Sequence, residues 1–389
     1  MLKNPYTPGA GCIPPFLAGR DALLNSAQIA LERLKEGYPQ RPALYYGLRG
    51  VGKTALLNAI EEYADNIDVI YAHIEATEET QFIRRLVTTL NRFTKSISAV
   101  ESMKSLKAKC IRLFESFTVT YGLTENELSV SLSPDDVVTS GDLTDDLTEL
   151  MVSLGKLARH SKDALCIFID EIQFIQKENA RALVSALHRC NQLRLPITIC
   201  CAGLPKAVET LNKSCSYSER LFEYVLVDRL SDDEARAAVS EPAVDLGIRY
   251  DSDVLDEIVS ITSGYPYFIQ EFCSVIWDNL NEGTTEIHLG DVSTVKPLFF
   301  DKLDHGFFEA RYSRSSPSEK RFMLCMAECE RLPCRISDVA EHMQKDAQQI
   351  SPLRATLIDK GIIYAPSRGE VDFTVPLFKE YLQRVTIDE

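Results

Sequence analysis

The sequence predicts an α/β protein: a parallel sheet presenting a phosphate-binding loop, then a helical segment and a small C-terminal domain of helices and a hairpin. Three observations carry this. The stretch Gly47-Leu-Arg-Gly-Val-Gly52-Lys53-Thr54 sets a glycine-rich turn between a short apolar strand and a helix-patterned run. Ala164–Ile169 is an unbroken apolar run that ends in Asp170 and Glu171. From about residue 318, three helical stretches precede two short extended ones.

The chain has 389 residues and a formal net charge of -15. With 45% hydrophobic and 25% charged residues, its composition is that of a globular protein, and its length suggests two or three domains. No run approaches the roughly 20 apolar residues that span a bilayer, and the opening MLKNPYTPGAGCIPPF lacks an apolar h-region. The expectation is a cytoplasmic protein without membrane contact. Eleven cysteines are scattered without paired spacing, as small buried thiols of a reducing compartment are. Cys325, Cys329 and Cys334 come nearest to a cluster, but their spacing is not a zinc pattern. The acidic total argues against a nonspecific nucleic-acid coat protein. A local surface stays open, since from about residue 300 onward 13 Lys/Arg stand against 15 Asp/Glu.

The first motif has the form G-x-x-x-x-G-K-T between strand and helix, the context that gives a P-loop its meaning. Gly47, Gly50 and Gly52 let consecutive backbone N–H groups curl round a phosphate where side chains would block approach. The N-terminus of the following helix, which Ala55 continues, favours anions. Lys53 is expected to reach the β and γ phosphates, and the Thr54 hydroxyl to ligate magnesium. The apolar strand before Asp170 has the pattern of a parallel strand covered on both faces, and ligands bind at the C-terminal ends of such strands. Asp170 is expected to hold the magnesium shell. Glu171 is expected to polarise the attacking water, since phosphoryl transfer to water needs a group that orients it.

With these motifs the chain resembles the bacterial AAA+/STAND-type P-loop ATPases. It is similar to the archaeal-type ATPases and to the origin-recognition class of replication initiators, which carry a C-terminal winged helix. The resemblance implies an AAA+ core with a helical lid and a winged-helix domain, and ATP as the nucleotide, with Mg2+. In Leu17-Ala-Gly-Arg20-Asp21 it implies a box contacting the adenine side, through Arg20. Tyr217-Ser-Glu-Arg220-Leu-Phe222 resembles the segment of an arginine finger, so Arg220 is a catalytic candidate toward a neighbouring subunit. Ser263-Gly264-Tyr-Pro266 resembles a lid turn whose proline packs near the nucleotide. Two departures point to a slow switch rather than a motor. The strand end Cys201-Ala-Gly-Leu-Pro205 lacks a polar sensor, and Tyr267 stands about where initiator relatives have an arginine.

Residues 1–16 read as an extended arm and 17–229 as the ATPase core, with strands near 42–47, 68–75, 164–170, 197–203 and 224–227. An insert over about 78–160 reads as helices Gln81–Thr94 and Val100–Phe117, a hairpin pairing Phe117–Tyr121 with Glu127–Leu132, and a returning helix Asp142–His160. Residues 230–296 read as a helical lid. Residues 297–389 read as a connecting helix and a winged helix. There Gln348, Gln349, Ser351 and Arg354 would face a major groove, and Lys360 and Arg368 would meet phosphate. Pro352 is expected to shorten that recognition helix, with Ser351 as its cap.

Two functions remain open. One is an ATPase whose nucleotide state controls self-association through Arg220 and DNA binding through the winged helix. The other is a STAND-like nucleotide switch acting on a protein partner, without direct DNA binding.

Overall fold

A computed structural model describes residues 3–77, 81–97, 103–123 and 138–388. They form two compact units, one of Arg20–Gly47 with Lys53–Val227, the other of Met1–Gly19, Leu48–Gly52 and Asp228–Glu389.

The first unit is built on a five-stranded parallel sheet. In chain order the strands are β1 (Ala43–Tyr46), β2 (Ile70–Glu75), β3 (Leu165–Asp170), β4 (Ile197–Gly203) and β5 (Glu223–Leu226). Their spatial order is β2-β3-β4-β1-β5. The loop after β1 and the acidic end of β3 therefore emerge at the same edge of one sheet, with β4 between them.

Both β3 and β4 are buried at every residue. Leu165, Ile167 and Ile169 pack with Ile197, Ile199 and Cys201 in a core that also takes Leu86, Phe114, Leu154 and Leu183 from four helices. Those helices are Phe82–Ser96, Lys104–Thr120, Leu143–Ser161 and Lys177–Gln192. Cys166 and Phe168, one residue out of phase, face the other side of the sheet, as the two-residue strand period requires. Each buried Leu, Ile or Phe contributes roughly 1.5–3 kcal/mol, so this double-faced sheet is a rigid base for the loops at its edge.

The expected strand over Phe117–Tyr121 is instead the end of the helix Lys104–Thr120 and the residue after it. Cys110, Leu113, Phe114 and Phe117 recur three and four residues apart and are all buried, and this helical period outweighs the local alternation. Its expected partner, Glu127–Leu132, lies outside the described residues. The returning helix begins as expected, with the Asp142 carboxylate accepting from Thr144 N at 2.8 Å and Asp145 N at 3.1 Å.

In the second unit the helices Asp232–Val244, Ser252–Thr262 and Pro266–Asp278 pack together. Ser231 and Glu234 close a capping box at the first. Two short strands join them, β6 (Arg249–Tyr250) paired in parallel with β7 (Glu286–Ile287). The N-terminal arm has no regular structure, yet it is docked on these helices. The Tyr6 hydroxyl donates to the Val239 carbonyl at 2.6 Å, and Trp277 Nε1 donates to the Lys3 carbonyl at 2.9 Å.

A helix over Leu289–Leu303 runs into a π-helical turn, Asp304–Phe308, and then Glu309–Ser313. Three helices follow, Pro317–Glu328, Ile336–His342 and Ala347–Asp359, with a sheet of β8 (Cys334–Arg335), β9 (Ile363–Tyr364) and β10 (Glu370–Phe373) in the order β8-β10-β9. The helix Phe378–Asp388 closes the unit. Ser351 does not cap the third helix. Asp346 does, in a capping box with Gln349, and Pro352 lies inside the helix. The box and the burial of Ile350 and Leu357 offset the backbone hydrogen bond that proline removes. No helix among the described residues is long and apolar enough to cross a membrane.

Candidate active site

The strand β1 ends at Tyr46, and Gly47 N donates to the Gly203 carbonyl at the end of β4 (3.2 Å). The loop then turns through Gly50 and Gly52, with φ of 81° and 88°, a region L-residues enter only at a cost. Lys53 begins the helix Lys53–Asn66 and is 9% exposed. A Cβ at Gly52 would meet nothing within 4 Å, so the turn is open there, whereas one at Gly50 would come within 3.3 Å of Tyr267 Cβ. Positive-φ glycines, open space and a helix N-terminus make a cradle that fits a phosphate.

Thr54 Oγ1 donates to Asp170 Oδ2 at 2.7 Å. Asp170 is 6% exposed, and its other oxygen, Oδ1, accepts from Glu171 N at 2.7 Å. A hydroxyl and one carboxylate at a phosphate cradle are the donors a magnesium ion takes, the rest of its shell being water and phosphate oxygen. Among the described residues no group of three or more His, Cys, Asp and Glu is placed to hold a metal ion.

Glu171 follows with φ 53°, so the chain turns sharply as it leaves the sheet. Its carboxylate accepts from Gln173 Nε2. Gln173 is held in turn, its Oε1 accepting from Leu204 N at 2.9 Å. A Cβ at Gly203 would come within 2.9 Å of that same Oε1 and of Ile172 Cγ2. The missing polar residue at the end of β4 thus has a physical reason. The space is taken by an amide from the neighbouring strand's exit. Gln173 is a residue the sequence reading missed. No motif marks it, because its anchor is a backbone N–H brought near by the β3–β4 pairing.

The remaining expected residues are placed as follows. Arg20 is buried at the start of the helix Asp21–Lys35, 6% exposed. Arg220 is exposed on the short helix Ser218–Leu221. Pro266 opens the helix Pro266–Asp278, and the next residue holds the loop: Tyr267 N donates to the Gly50 carbonyl at 3.1 Å. Gln348 and Arg368 are exposed. The Gln349 side chain is engaged in the capping box, and Lys360 Nζ pairs with Glu319 at 2.8 Å. Arg354 is only partly exposed, its Nε buried without a hydrogen-bond partner.

Residues 17–200 match the family model of the AAA ATPase domain, and residues 305–382 match a domain of unknown function, DUF8462. A search of curated proteins gave no match. Among solved structures the chain is similar to a Walker-type ATPase of Pyrococcus abyssi, with 18% identity, 94% of this chain and 96% of that chain covered, and a TM-score of 0.53. It is also similar to the ORC1 protein of Aeropyrum pernix, solved in complex with DNA (16% identity, 96% and 94% covered, TM-score 0.47), and to a RuvB variant of Thermotoga maritima (16%, 94% and 95%, TM-score 0.46). The first of these likenesses shows the fold alone. The AAA ATPase domain match supports nucleotide binding, usually with Mg2+, and ATPase activity at the level of that family.

Proposed function

We propose that the chain is an ATP-binding, ATP-hydrolysing switch whose nucleotide state is read out by its C-terminal domain. The observation that carries this is the Thr54–Asp170 hydrogen bond beside a glycine turn that is open at Gly52. Lys53 and the loop N–H groups hold the phosphates, and Thr54 and Asp170 hold the magnesium ion. When bound, that ion draws charge off the phosphate oxygens. Glu171, kept in place by Gln173, orients the attacking water and accepts its proton. Arg20 lies toward the adenine, Pro266 toward the nucleotide, and Arg220 serves a neighbouring copy of the chain when ATP drives self-association.

The C-terminal helix, strand, helix, helix and two-strand order supports reading this domain as a winged helix. Its exposed Gln348 and Arg368 support the DNA-binding reading. The engagement of Gln349 and Lys360 and the partial burial of Arg354 favour a protein-directed switch, since a DNA footprint is normally a basic face.

The test is a DNA-binding titration with ATP, ADP and no nucleotide at two salt concentrations, with particle size measured in parallel. Salt-sensitive, ATP-dependent binding with assembly makes DNA the load. ATP-dependent assembly without DNA binding makes it a protein. Failure to bind or turn over ATP would sink the proposal.

A further inference from the structure

The first unit also holds a cavity of about 80 Å3, on the side of the sheet opposite its large core. Strand pairing builds the floor. Ala43 on β1 lies between Cys200 on β4 and Glu223 on β5, and Tyr45 lies beside Val225. Thr198 precedes Cys200 on the same face, as the two-residue strand period requires. The helix Asp21–Lys35 supplies the roof through Leu23, Ala27 and Leu31. The space exists because small side chains meet across it, Ala27 and Ala30 of the helix over Ala43 of the strand. No residue of the loop Gly47–Thr54 lines it.

The polar groups around this cavity are engaged, with one exception. Arg41 donates to the Leu221 carbonyl at 3.4 Å and to that of Phe222. Gln40 Nε2 donates to the carbonyls of Tyr38 and Pro39, at 3.1 and 3.0 Å. Thr198 Oγ1 donates to the Gln40 carbonyl at 3.4 Å, and the Cys200 sulfur accepts from the Cys166 thiol at 3.9 Å. Ser26 and Glu223 are exposed, so water serves them. Tyr45 is 4% exposed and lines the cavity, yet among the described residues its hydroxyl has no hydrogen-bond partner. Burial, then the neighbouring Cys200 and Glu223, push its pKa up, so the phenol stays protonated and offers a donor. A buried donor without a partner is costly and uncommon. An apolar chamber with one convergent polar group is the usual composition of a small-molecule site. Glu223 beside the phenol disfavours an anionic acceptor.

We propose that this cavity binds a compact, neutral, mostly apolar molecule whose single carbonyl or hydroxyl oxygen accepts a hydrogen bond from Tyr45. The volume is roughly half of the 150 Å3 that accommodates benzene in an apolar cavity, which suits about four or five non-hydrogen atoms. A longer molecule would leave past Val225 and Glu223, since β5 is an edge strand. Water is the competitor, but an ordered water needs two to four polar partners, and here Tyr45 alone is uncommitted. The inference is independent of nucleotide binding.

The test is a titration of butanone into the full chain with methyl-labelled alanine and valine, read by NMR at Ala27, Ala43 and Val225. Saturable shifts at these methyl groups are expected, with millimolar affinity. The alkene isostere of butanone, in which a methylene replaces the oxygen, should bind about fivefold more weakly, as the loss of one hydrogen bond predicts. Tyr45→Phe should weaken butanone by a similar factor. It should also leave the melting temperature of the ligand-free protein unchanged or raised, because it removes a donor that has no partner. Ala30→Leu fills the cavity from a half-buried position of the helix and should abolish binding. The isostere comparison uses the wild-type chain, so it reports even if a variant fails to fold. Absence of saturable shifts, equal affinity for the isostere, or undiminished affinity in Tyr45→Phe overturns the proposal. So does a lowered melting temperature in Tyr45→Phe, which would mark the phenol as a satisfied structural group, and so does binding retained in Ala30→Leu, which would place the ketone elsewhere.

Discussion

Gln173 bridges Glu171 and Leu204: its amide N–H donates to the carboxylate while its carbonyl oxygen accepts from the backbone of the adjacent strand's exit. The proposed base is thereby oriented by a side chain two residues away and fixed to the sheet. Gln173→Ala is expected to lower the ATP turnover rate about tenfold with nucleotide affinity nearly unchanged, the pattern of lost positioning. Glu171→Gln should cost on the order of a hundredfold or more and leave ATP bound. Turnover assays with parallel binding titrations separate the two effects, and normal turnover in Glu171→Gln removes Glu171 from the role of base.

Lys53 and Asp170 act on different parts of the ligand. Lys53→Ala should weaken ATP and ADP together, by about a hundredfold, as a lost charge-assisted contact worth about 1.5–3 kcal/mol predicts. Asp170→Ala should lower ATP affinity in magnesium and remove the difference between magnesium and a chelator. A magnesium dependence retained in Asp170→Ala assigns the ion to other groups.

Crowding around Gln173 makes Gly203 a stability test that touches no ligand. A methyl group there would press within 2.9 Å of Gln173 Oε1 and Ile172 Cγ2 and 3.0 Å of Ala207 Cβ. Overpacking of this kind costs about 1–3 kcal/mol. Gly203→Ala should therefore lower the denaturation midpoint and, by shifting Gln173, also slow turnover. A wild-type midpoint would show that the neighbours move aside freely.

His73 gives a pH signature. Its Nδ1 lies 2.7 Å from Glu61 Oε2, and that hydrogen bond, opposed by desolvation and aided by the Glu61 charge, raises its pKa. A folded-state pKa above the unfolded value near 6.5 means the fold binds the proton more tightly. The stabilisation is full below about pH 6.5 and is lost as pH rises through the raised value. The melting-temperature gap between wild type and Glu61→Gln should thus be wider at about pH 6 than at about pH 8.5. A gap that is flat or widens with pH contradicts the pairing.

What the sequence made legible was whatever a short, contiguous pattern fixes. Gly47 to Thr54 and Ile167 to Glu171 carry their geometry in their own spacing, so the five strands and the meeting of Thr54 with Asp170 could be read in advance. The helix ending at Thr120 could not, because Phe117–Tyr121 alternates locally while its burial follows Cys110 and Phe114. Gln173 was invisible because its partner is a backbone group delivered by strand pairing. The cap at Asp346 was missed because Pro352 is a stronger local signal than a capping box that begins six residues earlier.

The docked N-terminal arm makes the molecule its own optical gauge. Trp277 is the sole tryptophan of the chain, it is 1% exposed, and it is bonded to Lys3 and packed edge-on against Tyr6. Excited at the red edge of the absorption band, where tyrosine does not absorb, the emission therefore issues from one indole beneath Lys3 and Tyr6. Anything that lifts the arm, whether a fused tag, a proteolytic nick or a change in the helices it covers, would shift that emission to the red.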